Sequence, residues 1–184
     1  PDLANGYSMP DDKTYVFDIK KGVRFHDGTL LTAADVKYTY ETIMDPEYGS
    51  VFRNAFKEVE SIDVSGEHRV IIKLKRPFAP FITAVSIGVI PKHVGEKLKK
   101  EFTSAPVGTG MFKLKKNSGK EGVLLERFEG GISGNAKIRS VTFKPVLEDQ
   151  IRVLELLKGS VDMIVNAVSS ELTDKVKENA NTSM

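Results

Sequence analysis

Alternation of apolar and polar side chains predicts several strands in the first half of the chain. Tyr15, Phe17 and Ile19 occupy every second position, so a strand places all three on one face. Residues 62–64 and 70–74 are two further β-type runs, and a polar segment containing Gly separates them. The two runs are predicted to form an antiparallel hairpin.

A helix is predicted directly after the first group of strands. Thr32 has the residue type of an N-cap, and Asp35 falls in the first turn, where the helix dipole favours an anion. Val36 and Tyr40 follow at helical spacing. The helix should end before Pro46, because the residue before a proline is pushed out of the helical conformation.

The remaining segments are assigned from the same patterns. Further strands are predicted over residues 23–25, 89–90, 111–114, 123–127, 138–146 and 161–165. Further helices are predicted at the end of a loop within 48–59, over 77–86, 91–100 and 147–158, and from Ser169 or Ser170 to near Asn179. In the helix over 147–158, Ile151, Leu154 and Leu157 form one apolar stripe.

The chain changes character near residues 103–110. The run Pro106-Val107-Gly108-Thr109-Gly110 cannot be the interior of a helix, and strands separated by polar loops dominate after it. We therefore predict an α+β or mixed α/β fold with two domains, over residues 1–102 and 103–184.

Composition excludes several classes of protein. The 184 residues carry a net charge of +2 and no cysteine, which rules out disulfides, thiolate nucleophiles and Cys-based zinc sites. The lysines at 97, 99, 100, 113, 115, 116 and 120 lack interleaved aromatic residues, so nucleic-acid binding is not predicted. No apolar run reaches the roughly 20 residues that span a bilayer, and no signal peptide opens the chain. We expect the chain to be part of a longer protein.

Two short motifs are interpreted as structural. In His26-Asp27-Gly28, the Asp-Gly pair predicts a turn in which Asp27 accepts nearby backbone N–H groups. Gly108, Thr109 and Gly110 precede a strand and lack the Lys and Ser/Thr of a phosphate loop, so they are predicted to let the backbone bend.

No catalytic group, metal site or cofactor is predicted. A His-Asp pair resembles a base and its orienting group, but His26 and Asp27 are sequence neighbours, which point to opposite sides of a strand. The chain shows no nucleophile-elbow serine, and its three histidines are not spaced as metal ligands.

Two segments are candidates for ligand binding. Tyr48, Phe52 and Arg53 lie in an irregular segment after a helix, where aromatic and guanidinium groups suit peptide side chains and carboxylates. The alternative, that Phe52 and Phe56 cover the hairpin core, stays open at this stage. The second segment is Ser86, Ile87 and Gly88, because glycine lets a backbone approach a ligand closely.

Three stretches in register resemble one family. They are residues 15–29 followed by 31–36, residues 106–113, and residues 137–143 followed by 159–163. Together they resemble the signatures of family 5 bacterial extracellular solute-binding proteins, the peptide-, dipeptide- and nickel-binding receptors of ABC importers. Met111-Phe112 and the segment 128–131 depart from the usual family pattern, which weakens any assignment of the ligand by analogy.

The resemblance implies a partial periplasmic-binding-protein fold of type II. Residues 1–102 would be the small additional subdomain, and residues 103–184 part of the first of two lobes. The implied function is capture of a peptide or similar small solute for an ABC permease, in the periplasm or outside the cell, with a lipid anchor in the longer parent left open. An incomplete cleft would bind ligand very weakly or not at all, and the exposed apolar surface would favour self-association. The alternatives are a protein-interaction module and, less favoured, a hydrolase domain.

Overall fold

The computed structural model describes residues 2–132, 134, 136–165 and 168–177. It contains two compact units. The first comprises residues 1–117 and 123–142, and the second comprises residues 118–122 and 143–184. The predicted division into residues 1–102 and 103–184 stays a prediction.

Strands and helices alternate irregularly along the chain, which confirms the predicted α+β or mixed α/β class. The strands are Ala4–Ser8 (β1), Thr14–Ile19 (β2), Val59–Val64 (β3), Arg69–Leu74 (β4), Phe112–Asn117 (β5), Val123–Arg127 (β6) and Ser140–Phe143 (β7). The α-helices are Ala33–Met44 (α1), Phe81–Ala84 (α2), Lys92–Leu98 (α3), Asp149–Leu157 (α4) and Ser170–Lys177 (α5). Short 3₁₀ helices cover Pro46–Tyr48, Arg53–Phe56, Lys99–Ser104 and Gly119–Glu121.

A four-stranded antiparallel sheet forms the centre of the first unit, in the order β1-β2-β4-β3. The predicted strand β2 and the predicted hairpin β3–β4 are confirmed. Strand β1 was not predicted, because its sequence Ala-Asn-Gly-Tyr-Ser has little intrinsic preference for a strand. It forms by pairing with β2, with Tyr7 opposite Phe17. The predicted strand at residues 23–25 is reduced to a single bridge between Arg24 and Leu30.

One face of this sheet packs against α1 and the segments that follow it. The largest fully buried side chains of the resulting core include Phe25, Phe56, Phe81, Ile72 and Leu74. Phe81 lies between two other rings, 5.2 Å from Tyr15 and 5.9 Å from Phe56 between ring centroids. The core therefore joins the sheet to the helical segments through aromatic contacts.

Buried polar groups tie α1 to the segment before α3. The Asp35 carboxylate accepts hydrogen bonds from the backbone N–H and the hydroxyl of Thr32, the predicted N-cap, and its other oxygen accepts from the Lys92 N–H at 2.8 Å. The Thr39 hydroxyl accepts from the Ile90 N–H at 3.0 Å. Because α1 satisfies this backbone group, residues 89–90 do not form the strand that we predicted.

The rest of the first unit contains the sheet β5-β6-β7 as far as Thr142 in β7. Strands β5 and β6 pair antiparallel as predicted, and Glu126 on β6 faces both Lys113 and Lys115 on β5. Hydrogen bonds from Lys115 and Lys113 hold the pKa of Glu126 below its ordinary value. The predicted strand 138–146 is shorter, covering β7 alone, and the predicted helix 77–86 is reduced to α2.

The second unit has a small core of its own. Val153 on α4 and Leu172 and Val176 on α5 are buried together, with partly buried Leu156 and Leu157 against them. The predicted apolar stripe of α4 is therefore wrong about which face of the helix is buried, and of its three residues only Leu157 packs against this core. Two of its residues, Ile151 and Leu154, are 45% and 51% exposed.

Two other predictions in this unit have different outcomes. Residues 161–165 do not form the predicted strand, since within the described residues no neighbouring strand pairs with them. Gly159 has φ of 71° and ends α4 in the left-handed conformation. Helix α5 begins at Ser170, but its predicted end at Asn179 lies outside the described residues.

None of the described helices combines the length and apolar character needed to cross a bilayer.

Candidate functional site

The two motifs that we predicted to be structural contact each other in the first unit. The His26 N–H donates to the Gly108 carbonyl at 2.8 Å, and the Gly108 N–H donates to His26 Nδ1 at 3.2 Å. The other ring nitrogen, Nε2, lies 3.0 Å from the Gly110 carbonyl. One histidine therefore joins two segments that are more than 80 residues apart in sequence.

This hydrogen-bond pattern defines the tautomer of His26. Nδ1 accepts a hydrogen bond, so it carries no proton, and Nε2 must carry the proton that is donated to Gly110. The imidazole and the Phe128 ring form an edge-to-face contact, with centroids 5.1 Å apart. Partial burial lowers the pKa of His26, and the hydrogen bond to Gly110 offsets part of that shift. The ring is thus held in its neutral form.

Asp27 forms the turn that the sequence predicts. Its carboxylate accepts from the Thr29 N–H at 3.0 Å and from the Thr29 hydroxyl at 2.7 Å, and Gly28 has φ of 88°. The second carboxylate oxygen lies 2.9 Å from His93 Nε2 on α3. Partial burial acts to raise the pKa of Asp27, but the bonds from Thr29 and His93 bring it below its ordinary value. Asp27 is therefore paired with His93, whereas the His26 ring forms hydrogen bonds with backbone groups of Gly108 and Gly110.

No metal centre is apparent in the part of the chain that the structure describes. There, no group of three or more His, Asp or Glu side chains is arranged to hold an ion. The His93–Asp27 pair supplies only two such ligands.

The segment after β6 closes on the glycine-containing motif. The Phe128 N–H donates to the Met111 carbonyl at 2.8 Å, and the Ile132 N–H donates to the Thr109 carbonyl at 3.2 Å. A Cβ atom at Gly131 would lie 2.9 Å from both the Gly110 carbonyl oxygen and Met111 Cα. Glycine is required at 131 because two backbone segments approach closely there.

Gly131→Ala is expected to reduce the free energy of unfolding by about 1–3 kcal/mol, because backbone atoms must move to admit the methyl group. Thermal or urea unfolding of the variant measures this change. The matched control is Gly110→Ala, where a Cβ would meet nothing within 4 Å and the loss should stay below about 1 kcal/mol. Equal losses of unfolding free energy at the two positions would show that the close approach of the backbone at Gly131 does not make the alanine substitution more costly.

The first candidate ligand-binding group lies on the two 3₁₀ helices after α1. Tyr48 ends the first of them, and Arg53 begins the second. The Arg53 Nε atom donates to the Met44 carbonyl at 3.0 Å, which fixes the guanidinium against the end of α1. Phe52 is 52% exposed, whereas Phe56 is buried in the core. Phe52 and Arg53 are thus exposed on the surface of the first unit.

The second candidate group follows α2. The Ser86 N–H donates to the Thr83 carbonyl at 3.1 Å, and the Val85 carbonyl accepts from the Tyr40 hydroxyl at 3.1 Å. Ser86 and Gly88 are exposed, and the partly buried Ile87 packs against the core. Phe56 in the second of these 3₁₀ helices and Phe81 in α2 form an edge-to-face contact, so the short helices next to the two candidate segments pack against each other.

A broad open depression of about 720 Å³ lies elsewhere on the first unit. It is lined by Asn5, Asp18, Ile19, Lys20, Lys21, Ser65, Glu67, His68 and Arg69. Arg69 and Asp18 form an ion pair across it at 2.9 Å. It contains none of the predicted ligand-binding residues, and sequence reasoning missed it because strand pairing alone brings β1, β2 and β4 together.

Comparison with known proteins gives one consistent result. The glutathione-binding protein GsiB of Salmonella choleraesuis is 32% identical over 162 residues, which are 85% of this chain and 32% of GsiB. NikZ from Campylobacter jejuni in complex with Ni(L-His) superposes with a TM-score of 0.91 at 27% identity, over 98% of this chain and 37% of NikZ. The oligopeptide-binding protein AppA from Bacillus subtilis, in complex with a nonapeptide, superposes with a TM-score of 0.86 at 26% identity, over 97% of this chain and 37% of AppA.

The chain therefore spans about a third of the length of the relatives it matches. These likenesses confirm the predicted fold, which is part of a periplasmic binding protein. The family model of the bacterial extracellular solute-binding proteins, family 5 Middle, matches residues 1–184. The chain belongs to the family 5 bacterial extracellular solute-binding proteins.

Proposed function

We propose that this chain forms part of the solute-binding wall of a receptor that serves an ABC importer. The observation that carries the proposal is the family match over the full 184 residues, together with the superposition on NikZ at a TM-score of 0.91. Relatives named for glutathione and oligopeptides, and one bound to Ni(L-His), support a peptide or another small polar solute as the ligand class.

The proposed mechanism is binding without bond-making. Two lobes close on the solute, and the solute stabilises the closed state by its higher affinity for it. An incomplete cleft binds weakly, because one wall satisfies few of the ligand's polar groups. This function places the receptor in the periplasm or outside the cell, next to a membrane permease. Self-association stays a prediction from the sequence, and a lipid anchor in the longer parent is left open.

We further propose that the ligand-facing residues are Tyr48, Phe52, Arg53, Ser86, Ile87 and Gly88. Arg53 is held by its Nε atom, so its terminal nitrogens are free to bind a carboxylate in the two-point geometry that guanidinium groups favour. The exposed Phe52 ring next to it offers an apolar surface for a neighbouring side chain. A short peptide with a free carboxylate suits this pair of groups.

An NMR titration of the ¹⁵N-labelled chain with a mixture of short peptides tests this proposal. We expect small, saturable shifts that cluster at residues 48–53 and 86–88, with a Kd weaker than about 1 mM because only one wall is present. Arg53→Gln should remove most of the shift. The control Arg69→Gln, at an exposed arginine paired with Asp18, should leave it unchanged.

Shifts that cluster at the depression around His68, or micromolar binding that Arg53→Gln does not weaken, would contradict these site residues. Because a single wall binds very weakly or not at all, the ligand class itself is tested on the longer parent protein, where absence of binding to any peptide, glutathione or Ni(L-His) at millimolar concentration would count against it.

A further inference from the structure

We propose that His26 is a proton-sensitive latch between the loop at residues 24–29 and the segment Gly108–Gly110. The latch is complete when the imidazole is neutral, and it loses its bond to the Gly108 N–H when the imidazole gains a second proton. This role is independent of which solute the protein binds, since it depends only on contacts within the first unit.

The geometry gives each atom of the latch a defined role. The His26 backbone N–H donates to the Gly108 carbonyl at 2.8 Å, and Nδ1 of the imidazole accepts a hydrogen bond from the N–H of the same glycine. The opposite edge of the ring donates to Gly110 at 3.0 Å. Two of these three bonds use the side chain, so the segment is held chiefly by the ring.

A proton added at Nδ1 reverses one of these bonds. The protonated nitrogen becomes a donor that faces the Gly108 N–H, which is also a donor, so that bond is lost. The Gly108 N–H is then left without its partner in a partly buried position, which is costly. The bond from Nε2 to Gly110 survives, so protonation weakens the latch at one end only.

Charged groups around the ring have opposing effects. Lys113 on β5 opposes a positive charge on His26, whereas Asp27 in the same loop favours it. Asp27 is already engaged by His93 on α3 at 2.9 Å, and Phe128 contributes an uncharged aromatic contact. Partial burial is the largest effect and lowers the pKa of His26 below 6.5.

The sign of the pH dependence follows from this shift. Because the folded state holds His26 neutral, the unfolded chain binds more protons when the pH falls below about 6.5. Stability therefore decreases on acidification, and the loss is complete once the pH passes the lower pKa of the folded state. At neutral pH the full contribution of the latch is present.

Hydrogen exchange of the Gly108 amide between about pH 7.5 and about pH 4.5 tests the latch. After correction for the intrinsic pH dependence, we expect exchange at low pH to be roughly two- to tenfold faster. His26→Asn keeps an acceptor oxygen near the Nδ1 position but does not titrate, so this increase should disappear. His68→Asn and His93→Asn remove the other two histidines and should retain the increase.

Imidazole ¹⁵N chemical shifts of the unmodified chain provide a second measurement that needs no variant. They should report the Nε2–H tautomer of His26 at neutral pH and titration below pH 6.5. An Nδ1–H tautomer, or a Gly108 exchange rate that does not respond to titration of His26, would overturn the proposal. So would an acid-induced increase that persists in His26→Asn.

Discussion

Replacing Phe81 by alanine is expected to lower the free energy of unfolding by about 3–5 kcal/mol, the range for deleting a buried aromatic ring. The Phe81 side chain is fully buried, and its ring lies between Tyr15 on β2 and Phe56 after α1. Deleting the ring removes both contacts and leaves a cavity that neighbouring side chains fill only in part. This is the largest single effect that we expect in the chain.

Urea denaturation of Phe81→Ala measures the loss, and two variants calibrate it. Phe81→Leu retains most of the buried apolar volume and should cost less than half as much. Phe52→Ala changes the same residue type at a half-exposed position, where the expected loss is below about 1 kcal/mol. Similar losses for Phe81→Ala and Phe52→Ala would show that Phe81 is not part of a close-packed core.

Asp35→Ala is expected to cost about 2–4 kcal/mol, because the carboxylate satisfies three hydrogen-bond donors in a buried position. Two of those donors belong to Thr32 at the start of α1, and the third is the Lys92 N–H at the start of α3. Alanine leaves the two backbone N–H groups without their acceptor. The variant should therefore loosen α3 from α1 as well as fray the helix terminus.

Urea denaturation again measures the change, and Asp35→Asn separates the contributions. The amide retains one acceptor oxygen, so this variant should lie between Asp35→Ala and the unmodified chain. Asp12→Ala removes a carboxylate from an exposed loop and should change stability by less than about 0.5 kcal/mol. A neutral effect of Asp35→Ala would mean that water replaces the carboxylate at little cost.

Local signals were sufficient for the elements whose stability is decided within a few residues. The Thr32 cap, the proline that ends α1, the hairpin β3–β4 and the Gly159 cap all depend on residues close in sequence. Strand β1 depends on pairing with β2, so its own sequence could not reveal it. Residues 89–90 have a strand-like sequence, but the Thr39 side chain on α1 determines their conformation.

Helix α4 shows that hydrophobic spacing can predict that a helix forms without predicting which face of the helix is buried. Both faces carry aliphatic residues, and the position of α5 decides that Val153 and Leu156 are covered while Ile151 and Leu154 are exposed. Spacing alone selected Ile151 and Leu154. The covered face depends on a contact that sequence periodicity does not contain.

Sequence reasoning gave the right local role to each structural motif of the site but not their association. Asp27 forms the predicted turn, and the glycines at 108 and 110 lie at the predicted bend. The link between them is His26, which the sequence offered only as a partner for its neighbour Asp27. A hydrogen bond across more than 80 residues leaves no local signature.

The distribution of aromatic residues has a practical consequence for optical spectroscopy. The chain has no tryptophan, and its five tyrosines, at positions 7, 15, 38, 40 and 48, all belong to the first unit. Tyr15 and Tyr40 are buried in that unit's core. Intrinsic fluorescence excited near the phenol band therefore reports on the first unit alone. The α4–α5 pair has no intrinsic fluorophore of this kind, and backbone circular dichroism is needed to observe it.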